Sequence, residues 1–245
     1  MTLSFTHRFE AASAPGRPPL LLLHGTGGDE TDLLPLGRMI APAAALLSPR
    51  GKVLERGMPR FFRRLTEGVF DEADVRARAL ELADFVGEAR EAYGLGAPIA
   101  FGFSNGANIA AALLWLRPET LAGAVLIRTM VPLSTPPEAD LAAKPVLILS
   151  GAMDPIVPAD NAARLAQQLT AAGASVTHEV LPAGHALSQA DVTLAREWLA
   201  SSQRPKPSRA AAWADIDALR ARIGALEGDS TAMIREDRDN DEPCR

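Results

Sequence analysis

Ile99-Ala100-Phe101-Gly102-Phe103-Ser104-Asn105-Gly106-Ala107-Asn108-Ile109-Ala110-Ala111-Ala112-Leu113-Leu114-Trp115-Leu116 opens like a strand and continues like a helix. A short apolar run ends at Phe103, and the apolar stretch beyond Asn105 is too long for a strand. The joint is Gly102-Phe103-Ser104-Asn105-Gly106, a G-x-S-x-G match. Alone, that match is weak, because small residues cluster in many turns. Set between a strand and a helix it reads as a nucleophile elbow, the alternative being an ordinary strand-to-helix turn. In an elbow, side chains two residues either side of the serine would collide with neighbouring backbone. The serine is then strained and its hydroxyl stands above the sheet. The helix that follows aims its first amides at the same place.

The rest of the chain repeats the alternation. Strand candidates are Leu3–Phe9, Pro19–Leu23, Ala44–Leu47, Ile99–Phe103, Ala122–Ile127, Val146–Leu149 and Ser175–Val180. Helix candidates are Glu72–Tyr93, Asn105–Leu116, Ala159–Ala172 and Gln189–Ser201. Near-continuous runs such as Leu20-Leu21-Leu22-Leu23 suit strands covered on both faces. The pattern predicts an α/β fold with a mostly parallel central sheet and helices on both faces. No long insertion separates Ala122–Ile127 from Val146–Leu149, so no large lid domain is expected. Arg128-Thr129-Met130-Val131-Pro132-Leu133 reads as a short loop skirting the site.

Partners for Ser104 follow in the chain. Val146–Leu149 runs into Ser150-Gly151-Ala152-Met153-Asp154, and Asp154 therefore stands on a loop at a strand end, where an orienting carboxylate belongs. His185 follows the next strand candidate. Serine is a poor nucleophile at neutral pH, so a neutral imidazole must take its proton, while the carboxylate fixes the imidazole tautomer. Rival residues have simpler readings. His7 and His178 lie in strand candidates as surface or packing residues. Asp160 and Asp191 sit at helix starts, and Asp160 is best read as a cap.

A second strand end supplies the oxyanion donors. Leu20–Leu23 leads into His24-Gly25-Thr26-Gly27-Gly28-Asp29, a turn whose glycines let backbone amides approach a ligand. The amides of Thr26 and Asn105 are the assigned donors. His24 reads as a structural hydrogen-bonding residue. Neither G-x-x-x-x-G-K-[ST] nor G-x-G-x-x-G is present, so a phosphate cradle fails.

Composition narrows the classes. Of 245 residues, 47% are hydrophobic, enough for a sizeable core, and the net charge of −5 gives no reason to expect nucleic acid. Cys244 is the single cysteine and cannot form an internal disulfide or a thiolate metal site. No metal or organic cofactor is expected. The N-terminal residues have no signal-peptide core and no apolar run approaches the roughly 20 residues of a membrane span, so cytoplasmic placement without membrane insertion is the expectation. Residues 1–202 read as the catalytic domain and 203–245 as an appendage: Ser201-Ser202-Gln203-Arg204-Pro205-Lys206-Pro207-Ser208 is linker-like. Beyond it, Ala212, Ile216, Leu219, Ile223 and Leu226 form one narrow apolar stripe before a charged tail. The adopted reading is a docked or loose tail, with a homodimer contact the alternative.

Together, His24–Leu33, Gly102–Asn108, Asp154–Pro158 and Gly184-His185 resemble the phospholipase/carboxylesterase group of α/β-hydrolases. Within it they are most similar to the MhqD-type bacterial hydrolases, as is Pro59-Arg60-Phe61-Phe62-Arg63-Arg64 with Glu67–Asp71. The likeness spans roughly Leu20 to Leu199, and the tail lies outside it. It implies a serine hydrolase with Ser104, Asp154 and His185 as triad, and Thr26 and Asn105 as oxyanion donors. Dienelactone hydrolases are less similar, because their nucleophile is a cysteine. The expected activity is hydrolysis of short-chain or aromatic carboxylic esters through an acyl-enzyme. A thioesterase, lysophospholipase or acyltransferase could use the same triad, and a non-catalytic binding relative is the further alternative. Met58, Phe61, Phe62, Phe70 and Met130 either wall a substrate pocket or cover the sheet edge. Arg63 and Arg64 read as a solvated loop pair, the alternative being an acidic substrate.

Overall fold

The computed structural model describes residues 3–202, 213 and 216–218. Among the described residues there are eleven strands: β1 (His7–Glu10), β2 (Leu20–Leu23), β3 (Leu46–Pro49), β4 (Val53–Glu55), β5 (Met58–Arg60), β6 (Arg64–Thr66), β7 (Val69–Phe70), β8 (Ile99–Phe103), β9 (Gly123–Ile127), β10 (Pro145–Gly151) and β11 (Ser175–Leu181). The helices are α1 (Leu34–Ile40), α2 (Glu72–Tyr93), α3 (Asn105–Leu116), α4 (Ala159–Ala171) and α5 (Gln189–Ser202). Seven strands form one sheet in the order β1-β3-β2-β8-β9-β10-β11, with β1 antiparallel to β3 and the other pairs parallel.

Alternation along each central strand divides the core. Leu21, Leu23, Val146 and Ile148 face the layer of α2, α3 and α4, while Leu20, Leu22, Leu147 and Leu149 face that of α1 and α5. All eight are 2% exposed or less, as both-face coverage requires. Helix α3 is buried from Asn105 through Trp115, which explains its apolar character all round. Helix α2 is bounded by local chemistry. The Asp71 carboxylate accepts from the Asp74 amide at 3.1 Å, and Gly94 ends the helix with φ of 65°.

Several bounds differ from the sequence reading. β1 begins at His7, because Phe5 is buried in the core beside Phe85 instead of extending an edge strand. Helix α1 and the two hairpins β4–β5 and β6–β7 have segments too short to give periodicity. Asp160 does not cap α4; Pro158 occupies the cap position without a side-chain hydrogen bond.

Residues 128–144 join β9 to β10 without a helix or strand, so no lid domain stands there. Among the described residues no helix is long and apolar enough to cross a membrane. The chain divides into two units, Met1–Gln203 and Arg204–Arg245. Of the apolar stripe, Ala212, Leu219, Ile223 and Leu226 lie outside the described residues, and Ile216 is helical.

Candidate active site

Strand order places the site. β2 and β8 are neighbours, paired from Leu20↔Ile99 to Leu23↔Gly102, yet the chain leaves β2 toward β3 and β8 toward β9. Such a reversal opens a crevice at the carboxyl ends of the two strands. The His24–Thr26 turn leaves one of these ends and the Ser104 elbow the other. Neither the Thr26 nor the Asn105 amide has a protein acceptor among the described residues. In contrast, Ser104 donates its amide to Ile127 at 2.8 Å, which anchors the elbow to β9.

The elbow is strained as its sequence requires. Ser104 has φ of 51° and ψ of −113°. A Cβ on Gly106 would lie 2.0 Å from the Leu23 carbonyl oxygen, and one on Gly102 would lie 2.6 Å from the Gly106 carbonyl oxygen. Glycine at both positions lets β2, β8 and α3 converge on the serine.

The three polar side chains form one hydrogen-bonded series. Ser104 Oγ lies 3.0 Å from His185 Nε2, and His185 Nδ1 lies 2.8 Å from Asp154 Oδ2. Asp154 Oδ1 accepts from the amides of Ile156 at 2.8 Å and Val157 at 3.1 Å. Burial pushes the Asp154 carboxyl up, but the Ile156 amide, His185 and the Val157 amide outweigh it and hold the group below its usual range. A carboxylate fixed in this way accepts from Nδ1–H and leaves Nε2 free to receive the serine proton.

Two further residues hold the loops. His24 is buried; its Nδ1–H donates to Gly25 O at 2.7 Å, and Nε2 accepts from the Gly51 amide at 2.9 Å. Burial holds its pKa below the usual value, so it stays neutral and ties down the turn that carries Thr26. Arg128, at the end of β9 with φ of 55°, is buried and commits all five N–H donors to the protein. Nη1 and Nη2 take Asp191 at 2.8 and 2.9 Å, Nε takes Gly184 O at 2.8 Å, and the remaining two reach Leu149 O and Ala186 O at 3.3 and 3.4 Å. Gly184 and Ala186 flank His185, so this guanidinium grips the histidine loop on both sides.

A cavity of about 320 Å³ opens over Ser104 and His185, lined also by Thr26, Arg60, Arg64, Phe70 and Met130. Of the five expected wall residues, Phe70 and Met130 line it, and the Met130 amide is held by Asn108 Oδ1 at 2.7 Å. Phe61 and Phe62 belong to the buried core instead. Phe61 lies against the His24 ring at 4.7 Å between centroids, and Phe62 meets Phe70 edge-on at 5.1 Å. Met58 is 40% exposed and sits over the Gly27 turn outside the cavity. Of the loop arginines, Arg63 is exposed and pairs with Asp71, whereas Arg64 turns into the cavity wall. His178 is packed against Ser150 Oγ at 2.8 Å, and His7 against the Tyr93 hydroxyl at 2.7 Å; neither lines the cavity.

Strand order, elbow and crevice define an α/β-hydrolase fold. The family model for phospholipases and carboxylesterases matches residues 7–203, and the chain belongs to that family. It is 50% identical over 181 residues to MhqD of Bacillus subtilis strain 168, covering 73% of this chain and 90% of that protein. The crystal structure of a Bacillus cereus carboxylesterase is 45% identical with a TM-score of 0.79, covering 81% of this chain and 95% of that one. The structure of YahD with malic acid is 31% identical with a TM-score of 0.76, covering 81% of this chain and 99% of that one.

Proposed function

We propose that this protein is a serine carboxylesterase acting on small esters, with Ser104, His185 and Asp154 as its triad. The observation that carries the reading is the unbroken Ser104–His185–Asp154 hydrogen-bond series beneath an open cavity, with two unengaged amides beside it.

Ser104 Oγ attacks the ester carbonyl carbon as His185 Nε2 removes its proton. The carbonyl oxygen becomes an oxyanion and takes the Thr26 and Asn105 amides, which are most useful where charge develops. The Asp154 carboxylate stabilises the imidazolium. His185 then protonates the leaving alcohol oxygen as its bond to carbon breaks, which leaves an acyl-serine. Water, deprotonated by His185, attacks the acyl carbon, and Ser104 departs with its proton restored.

Size argues for short acyl groups. The cavity stands near the lower end of ligand pockets, about 300–1,000 Å³. The malic acid bound to YahD supports a small polar ligand over a long chain. The test is hydrolysis of 4-nitrophenyl esters from acetate to palmitate by the wild type and Ser104→Ala. Turnover should peak at the short end and be lost in the variant. Inactivity of the wild type on every ester, or an undiminished variant, would sink the reading.

A further inference from the structure

The Arg60–Arg64 stretch places two guanidiniums in the wall of the Ser104 cavity. Both hold the same carboxylate. Arg64 reaches Glu55 through Nε at 3.0 Å and Nη2 at 2.8 Å, and Arg60 Nη1 reaches it at 3.1 Å. Arg60 Nε donates to Phe62 O at 3.2 Å. Each guanidinium has five N–H donors, so Nη2 of Arg60 and Nη1 of Arg64 remain without a protein acceptor among the described residues. The Arg60 side chain is only 4% exposed, and the cavity is what it meets. Arg128 lines the same cavity, but its donors are all engaged within the protein and its charge is met by Asp191.

From this we infer a carboxylate-binding subsite at Arg60 and Arg64, so that the preferred esters carry an anionic group. The inference rests on the esterase reading above and names its substrate class. Neither free donor atom is sealed from solvent, so both are open to a ligand in the cavity, and a planar carboxylate suits the guanidinium fork. Glu67, exposed on the same wall, opposes an anion, so the free donors and not the net charge carry the argument. The reaction is ordinary hydrolysis: ester and water give acid and alcohol, and the carboxylate the ester already carries only binds.

The experiment compares two pairs of stable esters. Monoethyl succinate against diethyl succinate places the carboxylate on the acyl side. 4-Acetoxybenzoate against its methyl ester places it on the alcohol side. Wild-type kcat/KM should favour the anionic member of at least one pair, with the difference in KM, and that pair identifies the side. Arg64→Gln should lower the anionic-to-neutral ratio about tenfold, the loss of a charge-assisted hydrogen bond. Glu55→Gln should raise it, because the competing carboxylate is removed. Arg64→Lys should keep part of the preference, which also serves if Arg64→Gln fails to fold. A neutral preference in both pairs, or a ratio unmoved by these variants, overturns the subsite. If 4-nitrophenyl esters are turned over but none of these four is, the subsite alone falls. If no ester of either set is cleaved, the esterase reading falls with it.

Discussion

Arg128 and Asp191 meet side-on with both side chains fully buried, Nη1 to Oδ1 at 2.8 Å and Nη2 to Oδ2 at 2.9 Å. The pair joins the end of β9 to the first turn of α5. Asp191 Oδ2 also accepts from the Ser188 amide and hydroxyl, which starts that helix. Between the two ends lies the His185 loop.

Breaking one side of this pair should cost about 3–5 kcal/mol, because the remaining charge is left buried. Asp191→Asn is therefore expected to lower the urea-unfolding free energy by an amount in that range. It should also lower kcat more than KM, since the histidine loop loosens while the cavity walls stay. Stability and kcat both close to wild type would show that the loop holds itself.

Gly151 gives the same loop a different constraint. A Cβ there would sit 2.4 Å from Ala183 O and 2.6 Å from Gly184 O. Gly151→Ala should push His185 away from Ser104 and destabilise the fold by about 1–3 kcal/mol. Gly87, inside α2, has open space around its Cβ position, and Gly87→Ala should stabilise by roughly 0.5–1 kcal/mol. Thermal unfolding and 4-nitrophenyl acetate turnover on both variants check the contrast.

These two constraints mark the limit of what the sequence makes legible. Ser104 and Asp154 could be read because each follows a strand whose apolar run is unmistakable, β8 and β10, whereas His185 follows β11, an edge strand in which polar and apolar residues alternate. Arg128 also follows such a run, after Ile127, but its meaning lies 63 positions away in Asp191. Asp191 had a sufficient local explanation as a residue of the first helical turn, and nothing in its neighbourhood announces a second role. The aromatics divide between the two readings for a related reason. Phe61, Phe62 and Phe70 are alike in composition, and only the tight hairpin β6–β7 decides that Phe70 faces the cavity while the other two enter the core.

Asp154→Asn isolates the orienting carboxylate. The amide cannot fix the same histidine tautomer, so kcat should fall by roughly 10⁴-fold while the fold is retained. The native carboxyl is held below its usual range, so its contribution to stability is present above about pH 4 and lost as pH falls through the folded value. Acid unfolding of the wild type should therefore show a component that the asparagine variant lacks. Overlapping acid transitions would contradict this.

His24 should impose a second pH dependence, nearer neutrality. Burial depresses its folded pKa below the ordinary histidine value of about 6.5. Between those two values the unfolded chain binds a proton that the folded protein refuses, so stability rises with pH across the window. It is fully present above about 6.5 and declines as pH drops toward the folded value. Protonation at Nε2 would also remove the acceptor of the Gly51 amide and free the turn that carries Thr26. His24→Gln keeps an acceptor and cannot titrate. His178 is depressed in the same direction, again chiefly by burial, so His178→Gln is the matched comparison. Urea-unfolding free energies measured near pH 7.5 and 5.5 should fall for the wild type, fall less for each single variant, and fall least for the double. A slope unchanged by His24→Gln would mean that the imidazole takes up its proton alike in the folded and unfolded chain, and burial would not be holding it neutral.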